Sequence, residues 1–178
     1  DTAAAQETAD LYRAADIPVY VFSDAAFDKI STEKSPDGII AALAYMTGLH
    51  TFAKRGDISK FDDWQQNRRL LLLDSIRDPG NLGTILRSAE AMGITGVILA
   101  GCADIYNRKT VRAAMGTLFR MPLFIADESI PLIRKMTDSG RRVHAAALGE
   151  HTLTLGDYEV LVTDCPVIGN EGHGLSAD

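Results

Sequence analysis

The chain has 178 residues, 46% of them hydrophobic and 24% charged, with a formal net charge of −6. This is the composition of an ordinary globular protein, long enough to bury a core without disulfide or metal staples. It argues against a protein that grips nucleic acid through an overall basic charge, although a local basic strip can sit on an acidic chain.

Residues 3–15 read as a helix, 17–23 ("IPVYVFS") as a strand and 25–31 as a second helix. Residues 32–38 ("TEKSPDG") carry the Ser-Pro and Asp-Gly signals of a loop, and 39–46 ("IIAALAYM") follow as an apolar strand. Residues 1–50 are too few for a comfortable domain and are expected to be part of a small α/β domain. Residues 51–68 lie in a polar stretch without sustained period and read as a linker, with Trp64 as a packing anchor.

From Arg69 the pattern becomes regular. "LLLLDSI" (70–76), 96–101, 121–126, 141–149 and 165–170 read as buried strands. Helices are expected over 81–92, 107–119 and 128–140, the last closed by Gly140. Strands alternating with helices predict an α/β fold, a mostly parallel sheet with flanking helices whose ligands sit at the carboxyl ends of the strands.

Two cysteines, Cys102 and Cys165, are far apart and read as reduced, buried thiols. The four histidines show no metal-ligand spacing, so no metal is expected. No apolar run approaches the length of a membrane helix and no leader opens the chain, so the cytoplasm is the expected location. The chain begins at Asp1 and stops just after Ser176, a good cap for a helix that does not follow. A trimmed chain is therefore expected.

Two loops stand out. In "RDPGNLGTILRSAEAMG" (77–93) a buried strand ends and a helix begins. Pro79 fixes φ, Gly80 permits an unusual backbone, Asn81 is placed to cap the helix, and Gly83 leaves its first turn open. Exposed N–H groups at such a start suit an anion or polar ligand. Leu82, Ile85, Leu86, Ala89 and Met92 form the apolar stripe, and Arg87 points roughly opposite its centre. Arg87 reads either as an exposed helix arginine or as a site residue, and Asn81 either as a cap or as a site residue. Neither a dinucleotide fingerprint nor a P-loop is present, which disfavours a generic nucleotide-binding module. In "VIGNEGHGLS" (167–176) three glycines surround Glu171. Its carboxylate is either an acceptor for loop N–H groups or a site residue. His173 is either a solvated loop residue or a general base.

Together, "DSIRDPGNLGTILRSAEAMGITGVIL", "VRAAMGTLFRMPLF" and "VIGNEGHGLS" resemble the SpoU (TrmH-like) RNA ribose methyltransferases of the SPOUT superfamily, over about residues 69–176. The front segment, with "STEKSPDGIIAAL", resembles the end of the small RNA substrate-binding domain that precedes many of them. The resemblance implies methyl transfer from S-adenosylmethionine to a ribose 2′-hydroxyl of ribosomal or transfer RNA. It also implies a homodimer and a SPOUT methyltransferase domain over 69–178 with a C-terminal trefoil knot, a rare exception to unknotted topology. Asn81, Arg87 and Glu171 fall on the family's polar catalytic positions. Leu148, Gly169, Asn170, Gly172 and Leu175 fall on its cofactor-holding segments. Arg77, Arg108, Lys109, Arg112 and Arg120 are the candidates for holding RNA.

Two departures accompany the match. Ala114 stands where the family often has serine in "RASAG". The third motif, a strand "IPM" followed by "SLN", is not in the sequence, so the knot is expected to be incomplete. A non-catalytic RNA-binding relative of the same fold is the alternative. The chemistry needs an aligned acceptor and an exit for its proton, and no metal. An arginine side chain with a pKa above about 12 costs roughly 7 kcal/mol to deprotonate at pH 7. Positioning and electrostatic stabilisation are therefore the expected roles of Arg87, rather than those of a literal base.

Overall fold

A computed structural model describes residues 3–32, 38–46, 48–53, 56–147 and 152–175. The chain divides into two units, Asp1–Tyr45 and Met46–Asp178.

The first unit holds helices α1 (Ala3–Ala14) and α2 (Asp24–Ile30), neither with a buried residue. Asp16, at φ 58°, turns the chain out of α1. The strands expected over 17–23 and 39–46 are absent among the described residues. Both segments lack a ladder, and a strand exists only by pairing. Tyr20 and Val21 are accordingly 78% and 79% exposed, although their residue types favour strands.

The second unit is a six-stranded, wholly parallel sheet in the order β1-β4-β3-β2-β6-β5. The strands are β1 (Thr51–Phe52), β2 (Leu70–Asp74), β3 (Gly96–Ala100), β4 (Leu123–Ala126), β5 (Val143–Ala145) and β6 (Cys165–Ile168). Helices α3 (Phe61–Trp64), α4 (Pro79–Ala91), α5 (Arg108–Ala113) and α6 (Ile130–Asp138) flank it.

The run of four leucines explains the central strand. Successive side chains on a strand point to opposite faces, so an apolar run requires cover on both. Leu71 and Leu73 pack with Val97, Leu99 and Leu123 against Leu82 and Leu86 of α4. Leu70 and Leu72 pack with Ile98 and Phe124 against Phe61, Leu132 and Met136 on the other face. Each fully buried leucine contributes about 1.5–3 kcal/mol. Residues 51–68 supply the edge strand β1, paired with β4, and α3, whose Phe61 is fully buried with its ring 4.9 Å from that of Phe124.

The expected helix over 107–119 is shorter. Met115 at φ 49° and Gly116 at φ 85° take left-handed conformations, which end α5 and start a single 3-10 turn, Thr117–Phe119. Glu90 holds the interruption in place, accepting from the Thr117 hydroxyl at 2.6 Å and from Arg120 at 2.7 and 2.9 Å. Arg120 and Thr117 hold the Glu90 carboxyl down at about 2. β2 stops at Asp74 because Ser75 adopts φ 60°. Gly140, at φ 83°, closes α6 as expected. Cys165 is buried and Cys102 half-buried, both free thiols, and burial pushes them up to about 12 and about 11.

Candidate functional site

β2 has β3 on one side and β6 on the other, so the chain leaves the carboxyl ends of β2 and β6 at a reversal of strand order. Such a switch point opens a crevice where ligands bind in open α/β sheets. The loops that follow these two strands are the two glycine-bearing loops of the sequence.

After β2, Ser75 donates its N–H to the Ala100 carbonyl at 2.8 Å, and the chain runs to Asp78. Asp78, not Asn81, caps α4: its Oδ1 accepts the Asn81 backbone N–H at 2.8 Å, with Pro79 in the first helical position. The Asp78 Oδ2 pairs with Lys109 Nζ at 2.7 Å. Lys109 and the Asn81 N–H hold the Asp78 carboxyl below its ordinary range. Because Asp78 caps the helix, the Asn81 carboxamide is released from that duty. Its Nδ2 donates to Glu171 Oε1 at 2.7 Å, across the crevice.

The second loop is as tightly specified. A Cβ on Gly169 would lie 2.4 Å from the carbonyl carbon and oxygen of Gly174, so only glycine lets the loop fold back. Asn170 and Gly174 exchange backbone hydrogen bonds at 2.7 and 2.9 Å. The Asn170 Nδ2 donates to the Ser75 carbonyl at 2.9 Å, a second tie between the loops. Asn81's donated hydrogen bond, followed by the Glu171 backbone N–H, favours the ionised form of Glu171 and holds its carboxyl below the ordinary range.

The structure thus brings Asn81, Asn170 and Glu171 together. It does not bring Arg87 to them. Six residues beyond Asn81, Arg87 lies about 9 Å further along α4 and about 240° around it. It is exposed and, among the described residues, has no ion-pair partner. Gly172 and His173 are exposed on the same loop as Glu171. Leu148 lies outside the described residues, as does Ser176.

The basic candidates divide. Exposed Arg77 extends over the start of the β3 loop, its Nη2 3.9 Å from where a Cβ on Gly101 would sit. Arg108 and Arg112 are exposed on α5. Lys109 is held at the first loop by Asp78, whereas Arg120 is held by Glu90 at the far end of α4.

On the α6 face of the same crevice lies a cleft of about 220 Å³, with Ile133, Val143, Val167 and Leu175 in its walls and two buried polar residues, Asp74 and Ser129. Sequence reasoning passed over both polar residues. The signal was the carboxylate ending the four-leucine run, since a charged residue is rarely buried in a strand without a task. Among the described residues no group of three or more His, Cys, Asp or Glu is placed to hold a metal ion, and no helix is long and apolar enough to cross a membrane.

Residues 68–178 match the model of the SpoU rRNA methylase family. The chain belongs to that family. It is 30% identical over 163 residues to the 23S rRNA guanosine 2′-O-methyltransferase RlmP of Bacillus subtilis, covering 90% of this chain and 59% of that protein. A TrmH-family protein from Porphyromonas gingivalis superposes with a TM-score of 0.58 at 28% identity, over 90% of this chain and 59% of that one. The SpoU methyltransferase AviRb from Streptomyces viridochromogenes, solved in complex with AdoMet, superposes with a TM-score of 0.51 at 32% identity, over 60% of this chain and 42% of that one. The chain spans just under three-fifths of the length of the curated relatives it matches first, 59% and 58%. A six-stranded parallel sheet with flanking helices is therefore the SpoU-family fold in this chain.

Proposed function

We propose that this chain carries the ribose- and cofactor-handling loops of an RNA 2′-O-methyltransferase, with ribosomal or transfer RNA as substrate. The observation that carries the reading is the 2.7 Å hydrogen bond between Asn81 and Glu171 at the switch point of a SpoU-family sheet. It joins residues that the family resemblance places in the catalytic set, on two loops 90 residues apart in sequence. The names of relatives support the same reaction.

S-adenosylmethionine, when bound, supplies an electrophilic methyl carbon on a positively charged sulfur. The cleft beside the loops, at about 220 Å³, suits part of such a group rather than the whole of it. Its apolar walls suit an adenosyl moiety, and the Asp74 carboxylate offers charge complementary to a sulfonium. Leu175 lines that cleft, and Gly169, Asn170 and Gly172 belong to the loop leading into it. Leu148 joins this set through the family resemblance.

Displacement at a methyl carbon requires the attacking oxygen in line with the leaving sulfur. The family resemblance assigns Arg87 to an RNA phosphate and the ribose, where charge-assisted hydrogen bonds would stabilise the alkoxide as it develops. Within one chain, however, Arg87 stands about 9 Å along α4 from Asn81. Glu171, kept ionised, orients the Asn81 carboxamide, and the pair holds the two loops at a fixed spacing. Arg77, Arg108, Lys109, Arg112 and Arg120 hold the RNA backbone, Lys109 and Arg120 by exchanging a carboxylate for a phosphate. A homodimer in the cytoplasm completes the reading.

The test is transfer of labelled methyl from S-adenosylmethionine to total RNA by the purified protein. Labelled RNA is expected, with a loss of about 100-fold or more in Arg87→Ala. Full transfer by Arg87→Ala overturns the role of that residue. RNA retention with neither cofactor binding nor label overturns the enzyme in favour of a non-catalytic RNA-binding relative.

A further inference from the structure

We propose that Asn170 is a positioning residue, which latches the two loops together and sets the protonation geometry of His173, rather than a ligand for the cofactor. The proposal rests on the methyl-transfer reading of this site and names how the site is held in register.

The orientation of the Asn170 carboxamide is fixed by its neighbours. Oxygen and nitrogen of an amide are hard to tell apart by shape, so neighbours must assign them. Here the neighbours are unambiguous. Backbone N–H groups of Gly172 and His173 lie 2.9 and 3.1 Å from Oδ1, and they can only donate. The Ser75 carbonyl lies 2.9 Å from Nδ2, and it can only accept. A flipped amide would set donor against donor and acceptor against acceptor.

A consequence follows for His173. Its Nδ1 lies 3.2 Å from the same Oδ1. With Oδ1 fixed as an acceptor, Nδ1 must carry the proton. A neutral His173 ring then presents Nε2 as a bare acceptor, the reverse of the tautomer that free histidine prefers. One Nδ2–H of Asn170 is left after these contacts, so the side chain has little capacity for a ligand.

The other end of the latch is under strain. Ser75 is held at φ 60°, a left-handed conformation that is unfavourable for a non-glycine residue. Its N–H is bound to Ala100 and its carbonyl to Asn170, so both backbone polar groups of the strained residue are used. The next residue, Glu171, holds Asn81 at the other end of the same loop. Residues 170 and 171 therefore clasp the β2 loop at its first and last turns. The spacing of Glu171, Asn81 and the His173 ring is set before any ligand arrives, which is what an in-line transfer requires.

The experiment compares the wild type with Asn170→Ala and Asn170→Asp by long-range proton–nitrogen NMR of the His173 ring, alongside methyl-transfer kinetics and cofactor titration. The wild type is expected to show the Nδ1–H tautomer. Asn170→Ala should revert to mostly Nε2–H. Asn170→Asp keeps the acceptor and therefore the Nδ1–H form, but loses the donor to Ser75, so the Asn81 side-chain amide signals should move in both variants. Both variants should lower kcat by about 10- to 100-fold while cofactor affinity changes by less than about 3-fold. A His173 tautomer unmoved in Asn170→Ala overturns the latch, as does a loss of cofactor affinity as large as the loss of kcat. Folding of each variant is checked by the dispersion of its backbone spectrum, and Asn170→Ser replaces any variant that fails that check. A wild type that transfers no methyl group refutes the functional reading, and the tautomer and Asn81 signals then decide the latch by themselves.

Discussion

Gly83→Ala tests the packing that holds the first loop in place. Glycine within a helix normally costs about 1 kcal/mol relative to alanine, so propensity alone predicts stabilisation. The position is not a free helix surface. A Cβ there would lie 2.5 Å from the Thr110 carbonyl oxygen, 2.7 Å from the Ala113 Cβ and 2.9 Å from the Ala114 nitrogen. Ordinary contact needs about 3.5–4 Å, and two of these atoms are backbone, so α5 must retreat by about 1 Å. Overpacking of this kind costs about 1–3 kcal/mol and sometimes more. With the propensity gain subtracted, a net loss of about 1 kcal/mol is expected, or roughly 2–4 °C in melting temperature. The displacement also draws Lys109 away from Asp78, weakening the cap of α4. Thermal unfolding of Gly83→Ala beside Ser88→Ala, an exposed position on the same helix, provides the assay. Ser88→Ala should be neutral or slightly stabilising. A Gly83→Ala protein that melts at or above the wild-type temperature would refute the close approach of α4 and α5.

Other outcomes follow from the same geometry. Gly169→Ala places a methyl group 2.4 Å from the Gly174 backbone and should break the Asn81–Glu171 tie, read as faster hydrogen exchange across 169–175. Gly174→Ala meets no atom within 4 Å and carries only the strain of φ 71°, about 1–2 kcal/mol. Arg142 holds the Asp164 carboxyl at about 2 through two hydrogen bonds at 2.7–2.8 Å, aided by the Leu161 N–H. Since the folded value lies below the unfolded one of about 3.9, this stability is present above pH 4 and is lost as pH falls towards 2. Arg142→Met should therefore destabilise the protein at pH 7, with the gap closing in acid denaturation curves between pH 4 and pH 2. Phe61→Ala should cost about 3–5 kcal/mol by denaturant unfolding, because its ring is fully buried against Phe124.

The sheet was legible because its strands are buried on both faces, and a run such as residues 70–73 has no other comfortable home. The start of α4 was legible only in part. "DPGN" offers two residues that can cap, and Pro79 in the first helical position favours the residue before it, so Asp78 takes that role. Of the two readings open for Asn81, the cap falls to Asp78, and the Asn81 side chain bonds Glu171 instead. The ties that define the site join residues 90 and 95 positions apart, and no local pattern announces such pairs. The break after α5 was hidden in the same way. Gly116 signalled a turn, but a left-handed Met115 is not a local preference; contacts from Glu90 to Thr117 and Arg120 hold that segment. In the first unit the error ran the other way. "IPVYVFS" has strand composition, yet among the described residues it pairs with no other strand and is mostly exposed.

Methyl transfer to a ribose oxygen is the reaction proposed for the Asn81–Glu171 crevice. Its most direct test is a nucleoside digest of RNA treated with the protein and S-adenosylmethionine, separated and weighed by mass spectrometry, for the wild type and Glu171→Gln. The wild type should add a methyl group to the ribose 2′-oxygen of one nucleoside, and Glu171→Gln should add it at least about 10-fold more slowly. A methyl group on a base, or equal transfer by both proteins, would rule out this role for the crevice.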